Sequence, residues 1–218
     1  MKTILLLALA LTLPSCAERI QKAARDTAYS AYEWVGVEKR DLLRRRIKGA
    51  GEKQQDAGEA FSDALEKLQK LYGESGTVVE KEYRRLKSAY DEATEKSEEV
   101  SESREKMNTV AKDLFAEWEK EIGEMQSADF KNKSRASLRE TKAKFTALHE
   151  ALRKSENRMK PVLSKLKDHV LYLKHHVNAQ AVDSLKLEGK RIEGEIEKLL
   201  ADVKASTAEA EAFVKTME

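Results

Sequence analysis

The stretch that decides the fold spans residues 138–177 and reads LRETKAKFTALHEALRKSENRMKPVLSKLKDHVLYLKHHV. Apolar or small residues recur along it at alternating intervals of three and four, the spacing of one packed face of an α-helix. This spacing persists for 40 residues, which is far longer than an ordinary globular helix. It therefore predicts a long helix that packs against others. The face comprises Leu138, Thr141, Phe145, Leu148, Leu152, Ser155, Met159, Val162, Leu166, Val170, Leu173 and Val177.

Three further segments, at 43–71, 79–125 and 185–217, repeat the same spacing. Most of their register positions are apolar or small, which indicates coiled-coil-like packing through the whole second part of the chain. The weakest core positions are Ala93, Ser97 and Arg104. This part of the helix is expected to be a solvated face with local ion pairs, and the alternative is a thinly packed or partner-binding stretch.

The composition excludes several classes of protein. Of the 218 residues, 37% are charged and 6% aromatic, and only nine are glycine and two proline. So few turn formers cannot build a many-stranded sandwich or barrel. The formal net charge is only +2, whereas nucleic-acid-binding proteins usually carry a strong basic excess. We therefore expect an all-α protein that binds no nucleic acid.

Turn signals divide the repeating region into helices at about 37–72, 77–126, 131–178 and 184–217. Gly73 is well placed to end the first helix, and Thr77 with Glu80 forms a capping box that opens the second. The segment 178–184 contains neither Gly nor Pro, so the last two helices are either separate or one kinked helix. Short turns make successive helices antiparallel. The expected architecture is an elongated antiparallel helical bundle or coiled coil of three to four long helices.

The N-terminus reads as an export and anchoring signal. After Lys2, residues 4–13 form an apolar run that is too short to span a bilayer but has the length of a secretory signal core. The following Leu13-Pro14-Ser15-Cys16 resembles a bacterial lipobox. The resemblance implies a lipoprotein signal peptide at 1–15 and a Cys16 that carries diacylglycerol and an amine-linked acyl chain such as palmitate. Such multiple chains anchor stably. The alternative is a cleaved signal in which Cys16 is incidental.

If residues 1–16 are a lipoprotein signal, the protein is exported and held on a bacterial membrane. Residue 17 is not Asp, which by analogy with sorting in Gram-negative bacteria favours the periplasmic face of the outer membrane. Residues 16–36 would comprise the lipidated Cys16 and a short membrane-proximal helix, with the bundle following at 37–218. Tyr29, Tyr32 and Trp34 either plug the end of the bundle or lie among lipid headgroups, where such rings are favoured.

The charges fall into blocks. The segments 39–48, 131–144 and 153–167 each contain six basic residues and one acidic residue, whereas 91–106 contains seven acidic and three basic residues. We expect these blocks to pair across the bundle. Contact of Arg44, Arg45 and Arg46 with anionic lipid headgroups is a second hypothesis, because this dense cluster follows closely on the anchor.

No pattern of catalytic or metal-binding residues is found. The four histidines lack the Glu-x-x-His and His-x-x-x-His spacings of metal sites on helices, and they are expected at the core edge or on the surface. No phosphate-binding glycine loop is present. We therefore predict no enzyme activity, no catalytic residues, no metal and no cofactor.

Three stretches carry a resemblance to a known family: YSAYEWVGVEKRD (29–41), LFAEWEKEI (114–122) and the segment 159–185 with its internal Pro161. They are similar to an uncharacterised bacterial family of helical, coiled-coil lipoproteins that is catalogued only as a domain of unknown function. The resemblance implies a helical fold and a cell-envelope location, and transfers no active residue.

Two functions fit these expectations. The first is a lipid-anchored cell-envelope scaffold or adaptor, whose partners are the membrane, through acylated Cys16, and another envelope protein or a second copy of itself. The second is a membrane-associating helical protein of envelope-stress or remodelling type.

Overall fold

The computed structural model describes residues 39–73, 79–176 and 178–217. These residues form four helices: α1 at Lys39–Gly73, α2 at Val79–Glu124, α3 at Ala128–His175 and α4 at Ala179–Lys215. The all-α bundle expected from the sequence is therefore confirmed. Cys16, the segments 1–15 and 16–36, and the capping box at Thr77 lie outside the described residues.

The helix breaks are set by side-chain caps. Ser127 accepts a hydrogen bond from the backbone N–H of Phe130 and caps α3, so this helix begins three residues earlier than expected. Asn178 accepts a hydrogen bond from the N–H of Ala181 at 2.9 Å and caps α4. Because a capped break lies between them, α3 and α4 are separate helices. Pro161 lies inside α3.

Helices that follow one another in the chain run antiparallel. Residue numbers rise along one helix while the numbers of the residues they contact fall along the next. An ion pair between long side chains joins each two successive helices. These ion pairs are Lys53 with Glu99 (2.8 Å, α1 to α2), Lys142 with Glu119 (2.5 Å, α2 to α3) and Lys165 with Glu195 (2.5 Å, α3 to α4).

The first and last helices also lie side by side and antiparallel. A Cβ atom added to Gly51 would lie 3.2 Å from the Cβ of Ala210, and one added to Gly58 would lie 3.0 Å from Cγ1 of Val203. At the start of α1, Arg40 donates a hydrogen bond to the carbonyl of Met217 at 3.0 Å. This contact, which the heptad pattern did not predict, closes the four helices into one bundle.

The helices α1 and α3 run parallel. Ser155 donates a hydrogen bond to Gln54 at 2.9 Å, and Tyr72 lies 2.7 Å from Nδ1 of His169. The two contacts join residues that are 101 and 97 positions apart in the sequence, so residue numbers rise in the same direction along both helices. This alignment fixes the register of the whole bundle.

Among the described residues, the hairpin of α2 and α3 extends beyond the start of α1 and the end of α4. The α3 helix begins 27 residues before Ser155, whereas α1 begins only 15 residues before its partner Gln54. The difference of 12 residues corresponds to about 18 Å of helix. The α4 helix also ends before the tip of this hairpin: Phe213, near the end of α4, packs edge-on against Phe145 of α3. We call the projecting residues 116–136 the arm.

The heptad positions form the core as the spacing predicted. All nine register positions of α1 from Leu43 to Leu71 are buried, as are all the described positions of α3 except Thr141. A cluster shared by the four helices includes Phe61, Leu86 and Leu166. Burial at these positions stabilises the bundle by about 1.5–3 kcal/mol for each large side chain.

Candidate functional site

A buried polar layer crosses the middle of the bundle. Gln54 of α1 accepts a hydrogen bond from Ser155 of α3 and donates one to the carbonyl of Leu152 at 3.3 Å. Ser206 of α4 is also buried at this level and donates to the carbonyl of Val203 at 2.9 Å. The apolar cluster that begins at residue 57 lies on one side of this layer, and further buried apolar residues lie on the other side.

An ion-pair cluster lies beside the polar layer, between α2 and α3. Arg104 donates from Nε to Glu156 and from a terminal nitrogen to Glu105 at 2.8 Å, and a second terminal nitrogen lies 3.2 Å from Nε2 of His149. Burial and the positive charge of Arg104 lower the pKa of His149. The ring of His149 stacks on Phe145. Because each guanidinium nitrogen contacts a neighbour, the cluster acts as a cross-link between the helices.

The cluster changes the interpretation of the acidic stretch at 91–106. Ala93 and Ser97 are buried, and Arg104 is held between two helices. Glu99 also accepts from Lys53 of α1. The expectation of a solvated face was therefore wrong at these register positions, whereas the expected local ion pairs are present, as between Lys96 and Glu99.

A second polar contact lies near the other end of the four-helix bundle. Tyr72 and Nδ1 of His169 are 2.7 Å apart, and Nε2 of His169 is buried without a hydrogen-bond partner among the described residues. Burial lowers the pKa of His169 and raises the pKa of Tyr72. Gly189 of α4 leaves room for the tyrosine ring, because an added Cβ would lie 2.0 Å from its Cε2. The sequence placed His169 at the edge of the core or on the surface, and it is instead 3% exposed.

The histidines do not converge. His149 is half-buried, His169 is buried, and His175 and His176 are exposed, with His176 stacked on Tyr172. Within the described ranges, no three side chains of His, Cys, Asp or Glu come together as metal ligands.

Arg44, Arg45 and Arg46 point in different directions. Arg44 pairs with Asp41 at 3.2 Å. Arg45 is exposed, whereas Arg46 is half-buried, and its Nε has no hydrogen-bond partner in the described part of the chain. The arrangement leaves Arg45 as the member of the cluster most accessible to a ligand.

Three of the six basic residues in the block at 153–167 pair across the bundle with α4. Lys154 and Arg158 of α3 both contact Asp202 of α4, at 2.8 and 2.6 Å. Burial opposes ionisation of Asp202, but these hydrogen bonds outweigh it and lower the pKa of its carboxyl group. This block therefore pairs across the bundle, as expected, but its partner Asp202 lies outside the acidic stretch at 91–106.

The other two basic blocks, 39–48 and 131–144, lie at the same end of the bundle. Because α1 and α3 run parallel and Gln54 contacts Ser155, residues 39–48 lie level with about residues 140–149 of α3. Part of the second block is paired: Lys133 contacts Asp129 at 2.8 Å and Lys142 contacts Glu119. Arg135 and Arg139 are exposed. No sequence signal indicated that these two blocks would converge.

Comparison with known proteins places the chain in a family. None of the four described helices has an apolar stretch long enough to cross a membrane, and no curated protein matches the chain significantly. The model of a family described as a protein of unknown function, DUF2959, matches residues 28–217. The match covers all four helices of the bundle, and the chain therefore belongs to the DUF2959 family.

Proposed function

We propose that this protein is a lipid-anchored scaffold or adaptor of the bacterial cell envelope. It would be held by acylated Cys16 at the periplasmic face of the outer membrane and would act through protein–protein contacts without catalysis. The partner would be another envelope protein or a second copy of the chain.

The length of the bundle supports a scaffold. The α3 helix has 48 residues, which corresponds to about 72 Å. Its interior is filled by apolar side chains on both sides of the polar layer. A shallow groove outside α2 is lined by Glu80, Lys81, Arg84, Arg85 and Ser88, all from one helix. Such a surface suits contacts along a rod better than enclosure of a small substrate.

The observation that carries the proposal is a set of exposed apolar side chains near the turn between α3 and α4. Leu171 is 50% exposed, Tyr172 41% and Leu187 68%. Exposed apolar groups that lie together frequently mark contacts with other proteins. This turn lies at the end of the bundle opposite to the start of α1.

Site-specific photo-crosslinking in living cells tests this proposal. A photoreactive residue at Leu187 should give discrete crosslinked products that mass spectrometry identifies as one envelope protein or as the chain itself. The same residue at Ala208, which is also exposed on α4, is the matched control and should give none. Equal products at both positions, or none at either, would contradict the proposed contact surface.

The anchor has its own test. Cys16→Ser should release the protein from the membrane fraction and reduce the products from Leu187, because the partner is expected at the membrane. An unchanged membrane fraction and unchanged products would show that Cys16 is not the anchor.

A second candidate is a protein that associates with membranes to remodel them. It is favoured by the two basic blocks that lie at one end of the bundle. A remodelling protein should deform protein-free vesicles under the electron microscope, whereas a scaffold should leave them round.

A further inference from the structure

We propose that two copies of this chain associate side by side and in parallel, with the outer side of α2 of each copy against the outer side of α3 of the other. The contact would join two stripes of exposed charge, an acidic stripe on α2 and a basic stripe on α3. It lies on a different surface from the contact proposed at Leu187 and requires neither that contact nor the anchor at Cys16.

The acidic stripe follows the outer side of α2. Its five carboxylates recur at alternating intervals of four and three residues, which places them on one side of the helix, and all five are exposed. The stripe comprises Asp91, Glu95, Glu98, Glu102 and Glu105. Three of them have a partner on α2 itself, whereas Glu95 and Glu98 form no ion pair with any described residue. The segment 88–105 contains seven acidic and only two basic residues, so local pairs leave it strongly negative.

The basic stripe follows the outer side of α3. The positions at the same alternating intervals from residue 153 to residue 174 are all exposed, and none of them is acidic. The stripe comprises Arg153, Lys160, Lys167 and Lys174, which are separated by Asn157, Ser164 and Leu171. Among the described residues, only Arg153 of these four has an ion-pair partner, Glu150 at 2.7 Å. The segment 153–174 contains seven basic and two acidic residues, the reverse of the segment on α2.

The two stripes lie at the same level of the bundle. The numbers of paired residues on α2 and α3 add to 260 for Arg104 with Glu156 and to 261 for Glu119 with Lys142. Residues 88–105 of α2 therefore lie level with about residues 155–172 of α3, over a length of about 27 Å. Within one copy, no ion pair of the described residues joins a member of one stripe to a member of the other. Both stripes are therefore available to a partner.

The matched stripes make this face of the bundle complementary to itself. A twofold axis along the bundle keeps the level of every residue and brings α2 of each copy against α3 of the other, so that each acidic stripe meets a basic stripe. A twofold axis across the bundle would bring α2 against α2 and α3 against α3, where like charges repel. Such charge patterns fix the partner and its orientation, and a twofold contact uses the same face on both copies. The charges therefore favour a parallel pair.

The contact is expected to be weak and sensitive to salt. Exposed ion pairs contribute little individually, and Leu171, which is 50% exposed, is the sole apolar member of either stripe. Salt screens interactions between exposed charges. The pair should therefore form at low ionic strength and at a high concentration of the chain.

Cross-linking between isotopically distinct copies tests the arrangement. Unlabelled and nitrogen-15-labelled full-length chains are mixed at low salt, both with Cys16→Ser so that acyl chains cannot bring copies together. A carbodiimide joins lysine amines directly to neighbouring carboxylates, and mass spectrometry finds the linked peptides that contain both isotopes. We expect links between copies whose residue numbers add to about 260, as for the paired residues within one copy, such as Lys160 with Glu98 and Lys167 with Glu95. Their yield should fall several-fold at high salt.

Charge reversal tests the pairing itself. One variant with two mainly acidic stripes combines Lys160→Glu, Lys167→Glu and Lys174→Glu, and another with two mainly basic stripes combines Glu95→Lys, Glu98→Lys and Glu102→Lys. Each variant alone should show several-fold less dimer in sedimentation velocity at low salt. An equal mixture of the two should regain the dimer, because acidic stripes then meet basic stripes. Circular dichroism checks that each variant keeps its helices.

The control reverses three exposed lysines of α4 that lie outside the stripes. These are Lys190, Lys198 and Lys204, which form no ion pair with any described residue. Their joint replacement by Glu makes the same change in net charge as the α3 variant and should leave the dimer unchanged.

An equal loss of dimer in this control would overturn the proposal. So would a mixture of the two stripe variants that stays monomeric, an absence of links between copies at low salt, or links whose residue numbers rise together along α2 and α3. None of these results bears on photo-crosslinking at Leu187, so failure of this contact is distinguishable from failure of the proposed function.

Discussion

The four-helix section and the arm obey the same heptad spacing but are held in different ways. In the four-helix section, register positions of all four helices share one buried cluster, and Gly51 and Gly58 bring α1 close to α4. Among the described residues the arm contains only α2 and α3. These are joined there by the Trp118 hydrogen bond to Ser134 and the Lys131 contact with Gly123, and Ile122 is the one buried side chain. We therefore expect the same sequence period to give a higher local stability where four helices share a core than where two do.

The largest expected effect comes from deleting equivalent side chains in the two regions. Ile196 is 0% exposed in the four-helix section and Ile122 is 3% exposed in the arm. Ile196→Ala should reduce the free energy of unfolding by about 3 kcal/mol, since a buried cavity remains. Ile122→Ala should reduce it by about 1 kcal/mol, because the arm can open locally. Urea titration monitored by circular dichroism gives both values, and equal losses would remove the distinction between the regions.

The next largest loss of stability is expected on breaking the buried ion pair. The side chains of Arg104 and Glu156 are 13% and 5% exposed. Arg104→Ala leaves the Glu156 carboxylate buried without its partner, which should cost about 3 kcal/mol or somewhat less. Lys133→Ala, which breaks an exposed pair with Asp129 in the arm, should cost less than about 0.5 kcal/mol. Thermal unfolding compares them, and a similar Tm for the two variants would refute the cross-link assigned to Arg104.

Two glycines of α4 give a sharper contrast. Gly189→Ala places a Cβ against the ring of Tyr72 and should destabilise the protein by about 2 kcal/mol, through overpacking and loss of the contact with His169. Gly194 has no atom within 4 Å of an added Cβ, so Gly194→Ala should stabilise by up to about 1 kcal/mol, because alanine favours the helix. Equal stabilities of the two variants would show that the ring of Tyr72 does not pack closely against Gly189.

The smallest effect concerns pH. Burial lowers the pKa of His169, while Glu188 and Asp168 oppose this shift. The unfolded chain therefore takes up the proton first, and stability should fall as the pH drops below about 6.5, the ordinary histidine value. His169→Asn should reduce the loss of stability between neutral pH and acid pH by up to about 1 kcal/mol. His175→Asn is the exposed control, and a slope equal to that of His169→Asn would contradict the assignment.

The sequence predicted the helices and most of the core for a physical reason. Burial follows the alternating period of three and four, so positions such as Leu148, Leu152 and Met159 could be identified without a structure. Gly51 and Gly58 could not, because only the helix pairing shows that a side chain there would collide with α4. The burial of Glu156 depends in the same way on Arg104, which is 52 residues away.

The candidate surface was less predictable than the fold. The basic blocks at 39–48 and 131–144 are visible in the sequence, but their convergence depends on the parallel alignment of α1 and α3 through Gln54 and Ser155. Phe130 carries no periodic signal because it lies off the register. Its exposed position near the turn between α2 and α3 follows from where α3 begins.

Hydrogen exchange of the wild-type protein in solution tests most directly whether the arm is a separate, weaker part of the bundle. Amides within residues 116–136 should exchange through local opening, much faster than those within residues 145–170 of the same long helix α3 and its partners, which should exchange only on global unfolding. Uniform protection along α3, from residue 131 to residue 170, would show that the arm is as stable as the four-helix section.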